Sequence, residues 1–282
     1  MKKLFLALLW ISQIAFAQEA RQIIAVSIPM QQEFVQKIAG DRYEVVSLVK
    51  LGMNPHDFEP KFSDVKKVNS ALAYFGIGIE FEAVWLTRFQ AQNKAMKVYD
   101  NSLGIAKINF AHSHEKHEKH YEGDTHIWLS TQNAKQIARN IYEALQELDP
   151  KADYSKTYQA LLAEIQQTDM QLRQILNTLP SHQKFVVFHP MLGYFARDYQ
   201  LEEIAIEIEG KSPKMQEMIR VIQTIKENHL KIIFAQPEFS TKAAEFIAKE
   251  SGVQLGFFSP LQIPWSENLL EFAKTLRENA LR

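Results

Sequence analysis

No cysteine occurs among the 282 residues, so neither a disulfide nor a bacterial lipid anchor can form. An excess of charge is missing too: 32 Lys and Arg meet 33 Asp and Glu, a formal net charge of −1. Such a balance gives no electrostatic reason for nucleic acid or an anionic membrane surface as a partner. There is no phosphate-cradling glycine loop, no Gly-x-Ser-x-Gly and no His-Glu-x-x-His, so the familiar nucleotide-binding and hydrolase signatures are absent. The apolar run Leu4 to Ala17 is shorter than the roughly 20 residues a membrane-spanning helix needs, and it carries Ser12 and Gln13. Preceded by Lys2 and Lys3 and closed by Ala15-Phe16-Ala17, it has the form of a secretory signal peptide, residues 1–17, cleaved after Ala17. The expected product is a soluble periplasmic protein with a small-molecule or ion ligand.

What the chain does have is histidine, concentrated in one place. Of nine in all, His112, His114, His117, His120 and His126 fall within AHSHEKHEKHYEGDTHIW, residues 111–128. Neutral imidazole is the commonest protein ligand for Zn, Cu, Ni and Fe ions, which makes this stretch a metal-binding signal. The first four are interleaved with Glu115, Lys116, Glu118, Lys119 and Glu122 in a segment without apolar periodicity, so residues 111–122 read as a surface loop. His126 is followed at once by Ile127, Trp128 and Leu129, where the chain re-enters the core, and is the better fixed ligand.

Short β-branched runs alternate with helical stretches through both halves, which implies parallel, doubly wound sheets. Strands are predicted at Ile23–Ser27, Val45–Val49, Ala71–Ile77, Lys97–Tyr99, Phe185–His189, Glu203–Ile208, Lys231–Gln236 and Val253–Phe258. Between the halves, apolar positions from Tyr154 to Leu179 recur at helical spacing without Gly or Pro, predicting one helix over 151–179, about 42 Å long. The expected fold class is therefore α/β: an N-terminal lobe over 18–150, the linking helix, and a C-terminal lobe over 180–282. Ser212 before Pro213, and Ser240, are the predicted caps of two later helices.

His56, His126 and His189 lie at element boundaries, where an open α/β sheet presents ligands. Spacings of 70 and 63 residues are too wide for a local motif, so only a folded cleft can join them. Asp57 and Asp124 flank two of them and can accept a histidine N–H. Glu207 and Glu209 fit either plain solvation or support of the cleft. Trp85, Trp128 and Trp265 read as core or cleft wall.

Asn54-Pro55-His56-Asp57-Phe58-Glu59-Pro60, Asp124-Thr125-His126-Ile127-Trp128-Leu129, His189-Pro190-Met191-Leu192-Gly193-Tyr194-Phe195, Glu207-Ile208-Glu209-Gly210-Lys211 and Ala235-Gln236-Pro237-Glu238-Phe239-Ser240 together resemble a known family. It is that of the periplasmic metal-binding proteins of zinc and manganese ATP-binding-cassette importers, the zinc subgroup in particular. The resemblance implies two α/β lobes and His56, His126 and His189 as metal ligands in the cleft between them. It also implies Zn²⁺ in preference to Mn²⁺, a membrane permease as partner, and no catalytic activity; a monomer is expected. The chain departs from the pattern at Ser259-Pro260-Leu261, where an aspartate is usual. A water, a loop histidine from His112 to His120, or Glu207 would then be the fourth donor. Two rivals stay open: a hydrolytic His₃–water zinc site, and an adhesin that keeps a structural metal.

Overall fold

A computed structural model describes residues 21–109, 123–207 and 213–281. The signal-peptide reading, the loop histidines His112, His114, His117 and His120, and Glu209 lie outside them.

The first sheet contains β1 (Ile23–Val26), β2 (Glu44–Ser47), β3 (Ala71–Gly76) and β4 (Lys97–Asp100) in the order β2-β1-β3-β4. The second contains β5 (Gln183–Val187), β6 (Leu201–Ala205), β7 (Ile232–Ala235) and β8 (Gln254–Phe257) in the order β6-β5-β7-β8. All pairings are parallel and the two orders are the same, so each lobe is an open α/β unit built on one plan. Every predicted strand is present, its ends displaced by no more than three residues, the largest difference being at the end of β6. Parallel strands need helical crossovers, supplied by α1 (Pro29–Ala39), α2 (Phe62–Asn69) and α3 (Glu80–Gln92) in the first lobe. In the second they are α6 (Gly193–Tyr199), α7 (Met215–Glu227) and α8 (Lys242–Ser251).

Three longer helices tie the lobes together: α4 (Thr131–Leu148), α5 (Ser155–Leu176) and α9 (Trp265–Ala280). The central one, α5, packs against α1, α4 and α9. At 22 residues it is shorter than predicted, about 33 Å. Its start is delayed because Asp153 accepts the N–H and hydroxyl of Ser155 (2.9 and 2.6 Å), a local turn that competes with one more helical turn. The cap predictions also need correction. Helix α7 begins two residues beyond Pro213, where Glu217 accepts the N–H of Lys214 at 2.6 Å. Helix α8 is entered through Thr241 and not Ser240, and ends at Gly252 in the left-handed conformation, as expected of a glycine there.

Two apolar clusters fill the interior. The larger one runs without a break from β1 and β3 of the first lobe, through Trp128, Leu161 and Leu172, to Phe185, Phe234 and Phe272 beneath the second sheet. The smaller one lies on the opposite face of the second sheet, where Val186, Ile204 and Ile233 meet Val221, Ile225 and Ile247 of α7 and α8. Across the lobe boundary the indole N–H of Trp128 donates to the carbonyl of Pro260 and that of Trp265 to the carbonyl of Trp128, both at 2.8 Å. Both rings are buried, as core residues. No described helix is long and apolar enough to cross a membrane.

Candidate metal centre

In an open parallel sheet the strands deliver their following residues to one edge, and both lobes turn that edge toward the same cleft. His56 follows β2, Glu80 follows β3, His189 follows β5, Glu207 follows β6, and Glu238 and Ser259 follow β7 and β8. His126 arrives from the segment leading into a buried 3₁₀ turn, Ile127–Leu129, just before α4.

His56, His126 and His189, far apart in the chain, each present a ring nitrogen within 4.8 Å of the others. The Nε2 atom of His56 is 3.1 Å from that of His126 and 3.0 Å from that of His189. Each ring's other nitrogen, Nδ1, is 2.8 Å from a carboxylate: Glu80 for His56, Asp124 for His126, Glu207 for His189. A carboxylate fixes the proton on Nδ1 and leaves Nε2 as a bare lone pair. Three lone pairs therefore converge, an arrangement that a cation satisfies. Metal–nitrogen bonds of about 2.0–2.1 Å in tetrahedral geometry place the nitrogens about 3.3 Å apart, near the observed spacing.

Backbone anchors hold each ring. The N–H of His56 donates to Oδ1 of Asn54 (3.0 Å), closing the turn in Asn54-Pro55-His56. Asp124 also accepts the N–H of His126 (2.9 Å), so one carboxylate sets both main chain and ring. The N–H of His189 donates to Oε1 of Gln236 (2.9 Å), and its ring stacks on Phe239 with centroids 4.5 Å apart. Behind it, Oε1 of Glu203 accepts the N–H groups of Met191 and Leu192, and Tyr194 donates to the Asp124 carbonyl at 2.7 Å. Gly193 permits this approach, since a Cβ there would stand 3.1 Å from Oδ2 of Asp124.

Burial disfavours charge throughout the centre. It pushes His126 down to about 3, helped by the neighbouring His56, and His189 down to about 4, against the opposing pull of Glu207. Asp124 and Glu203 are pushed up to about 7 by the same desolvation. For Glu80 the raising effect of burial is outweighed by its bond to His56, and its carboxyl stays below the usual range. The His126 and His189 rings are thus held ready as neutral donors.

Asp124 and Glu207 support rings as two of the anticipated carboxylates. Glu207 is buried, so plain solvation does not describe it, and its bond to His189 makes it a poor candidate for the fourth donor. Asp57 is exposed and takes no part. Glu80, at the first turn of α3, was missed in sequence; the only signal was an acid placed just beyond a strand end. The turn that carries it is held by Glu82, which accepts the N–H groups of Ile77 and Gly78, both at 2.9 Å. The hydroxyl of Ser259 is engaged elsewhere than with the rings: it donates to Oε1 of Glu238 and accepts the N–H of Leu261 at 3.2 Å.

A crystal structure of ZnuA is 40% identical, with a TM-score of 0.86 over 92% of this chain and 99% of that one. The zinc-binding protein AdcA of Streptococcus pyogenes serotype M3 is 29% identical over 293 residues, 93% of this chain but 56% of its own length. This chain therefore spans little more than half of that relative. The iron-binding protein YfeA of Yersinia pestis is 31% identical over 232 residues, 80% of this chain and 72% of its own. The model of the family described as zinc-uptake complex component A, periplasmic, matches residues 24–281. With nearly the whole described chain inside that match, the protein belongs to the zinc-uptake component A family.

Proposed function

We propose that this protein captures Zn²⁺ in the periplasm through His56, His126 and His189 and passes it to the membrane permease of an ATP-binding-cassette importer. The observation that carries the reading is the convergence of three Nε2 lone pairs, each ring backed by a carboxylate. Nitrogen donors suit Zn²⁺ better than Mn²⁺, which prefers oxygen. The ion is cargo, and the protein is a carrier and not an enzyme. The same reading includes export by a signal peptide removed after Ala17, release without a lipid anchor, and action as a monomer. It also includes division of the mature chain at 18–150, 151–179 and 180–282. His112, His114, His117 and His120 serve as a weaker collector beside the fixed centre.

Metal analysis of the mature protein, purified without a histidine tag, followed by titration of Zn²⁺ against Mn²⁺ with a competing chelator, tests the reading. One tight equivalent with Zn²⁺ preferred is expected. Absence of a tight site, or preference for Mn²⁺, would overturn it.

A further inference from the structure

Three carboxylates at the cleft are engaged with imidazole Nδ1 atoms, and a fourth is not. Glu238 lies at the carboxyl edge of the second sheet, two residues after Gln236, which anchors His189, and one before Phe239, which stacks on the His189 ring. Phe239 also approaches His56, with centroids 6.4 Å apart. One oxygen of Glu238 is held by the Ser259 hydroxyl, while the other, Oε2, is buried without a hydrogen-bond partner among the described residues. An orphaned buried carboxylate oxygen is costly and calls for a partner. Burial also raises the Glu238 carboxyl above its ordinary value, as expected of an anion without a countercharge.

The three histidines supply no charge and leave a tetrahedral ion one donor short. Resting on the zinc-capture reading, we infer that Glu238 is the fourth, anionic donor, swung in from Ser259 when the ion arrives. The group of mutually close donor atoms comprises His56, His126 and His189. Glu238 therefore joins by rotating its flexible side chain, and Ser259 holds it at the cleft in the meantime. The assignment replaces water or a loop histidine as the fourth donor and gives Ser259 a role that is not coordination. Ser259→Asp alone would then place a second carboxylate against Glu238, and like charges repel.

The test uses the mature protein and its Glu238→Gln, Ser259→Asp and combined variants, with Zn²⁺ affinity and the thermal midpoint of the metal-free form measured together. Glu238→Gln is expected to weaken Zn²⁺ binding at least roughly tenfold, with the metal-free midpoint not lowered, because the variant removes a buried anion without a countercharge. The combined variant, which moves the carboxylate to 259, is expected to recover affinity; a purely structural role for Glu238 would not be rescued in this way. Unchanged Zn²⁺ affinity in Glu238→Gln, no recovery in the combined variant, or a zinc-bound crystal structure with Glu238 still on Ser259 would overturn the inference. Failure of the parent protein to bind Zn²⁺ tightly would instead overturn the function beneath it.

Discussion

The Nε2 atoms of His56 and His126 stand 3.1 Å apart with no proton to share, because both rings commit their N–H to carboxylates at 2.8 Å. Without an ion the contact is mutually repulsive, and with one it becomes part of a coordination shell. Removing either ring therefore removes a donor that the fold has already placed. His56→Ala, His126→Ala and His189→Ala should each lower Zn²⁺ affinity by at least about a hundredfold, roughly 2.7 kcal/mol. His182→Ala and His229→Ala, at exposed positions, should leave it unchanged. Chelator competition measures both sets, and a tight site surviving any of the first three would remove that histidine from the centre.

The carboxylates behind the rings act through tautomer and orientation. Glu80→Gln and Glu207→Gln should cost about 10- to 100-fold in Zn²⁺ affinity without changing the number of tight equivalents. A Gln can present its amide nitrogen to Nδ1, forcing that nitrogen to accept and turning the proton onto Nε2, where it blocks the metal. Affinities within about twofold of the parent would show that the carboxylates do not set the tautomer.

The described residues on either side of 110–122 are tied together, since the N–H of Asp124 donates to the carbonyl of Ile108 at 2.7 Å. Gly123 makes the closure possible: with φ +91°, a Cβ there would meet the Ile108 oxygen at 2.8 Å. Replacing residues 111–122 by a short Gly-Ser bridge should thus leave His126 in place, abolish weak metal equivalents and keep the tight one. Calorimetric titration resolves the two classes, and loss of the tight class in a folded deletion variant would place a loop histidine in the centre.

Glu203 gives a pH dependence whose sign is fixed by burial. Its carboxyl is raised to about 7 in the folded state, against an ordinary value near 4.5 when unfolded. The folded state thus binds more protons in that window, so this contribution is full below about pH 4.5 and is lost as pH rises toward 7. Glu203→Gln keeps an acceptor for Met191 and Leu192 and removes the titration. Relative to the variant, the metal-free parent should lose on the order of 2–3 kcal/mol between pH 5 and pH 8. Urea unfolding at the two pH values measures it, and parallel behaviour of parent and variant would contradict the assignment.

The strands and the three histidines were legible because each carries a local signature: Phe185-Val186-Val187-Phe188 can hardly be anything but a buried strand, and His189-Pro190 marks its end. Glu80 was not legible, because an acid at a helix start is common for reasons of helix dipole and solvation alone. Only the parallel pairing of β3 with β1 brings its loop beside that of His56. The partnership of Glu238 with Ser259 was hidden likewise, since it joins loops after two strands that become neighbours only in the sheet. Helix α7 starts two residues later than the Ser212-Pro213 pattern suggests, because Glu217 closes the first turn onto the N–H of Lys214.

The division of the interior into two apolar clusters also bears on cooperativity. Because the larger cluster passes under both lobes, the lobes are not separate units of unfolding; the seam runs through the second sheet, between its two faces. Amide exchange should then sort α7 and α8 into a shallower tier than α4, α5 and α9. Phe239, the platform beneath His189, packs against that shallower tier. Of the three rings, His189 is consequently the one whose support can loosen while the rest of the molecule remains folded.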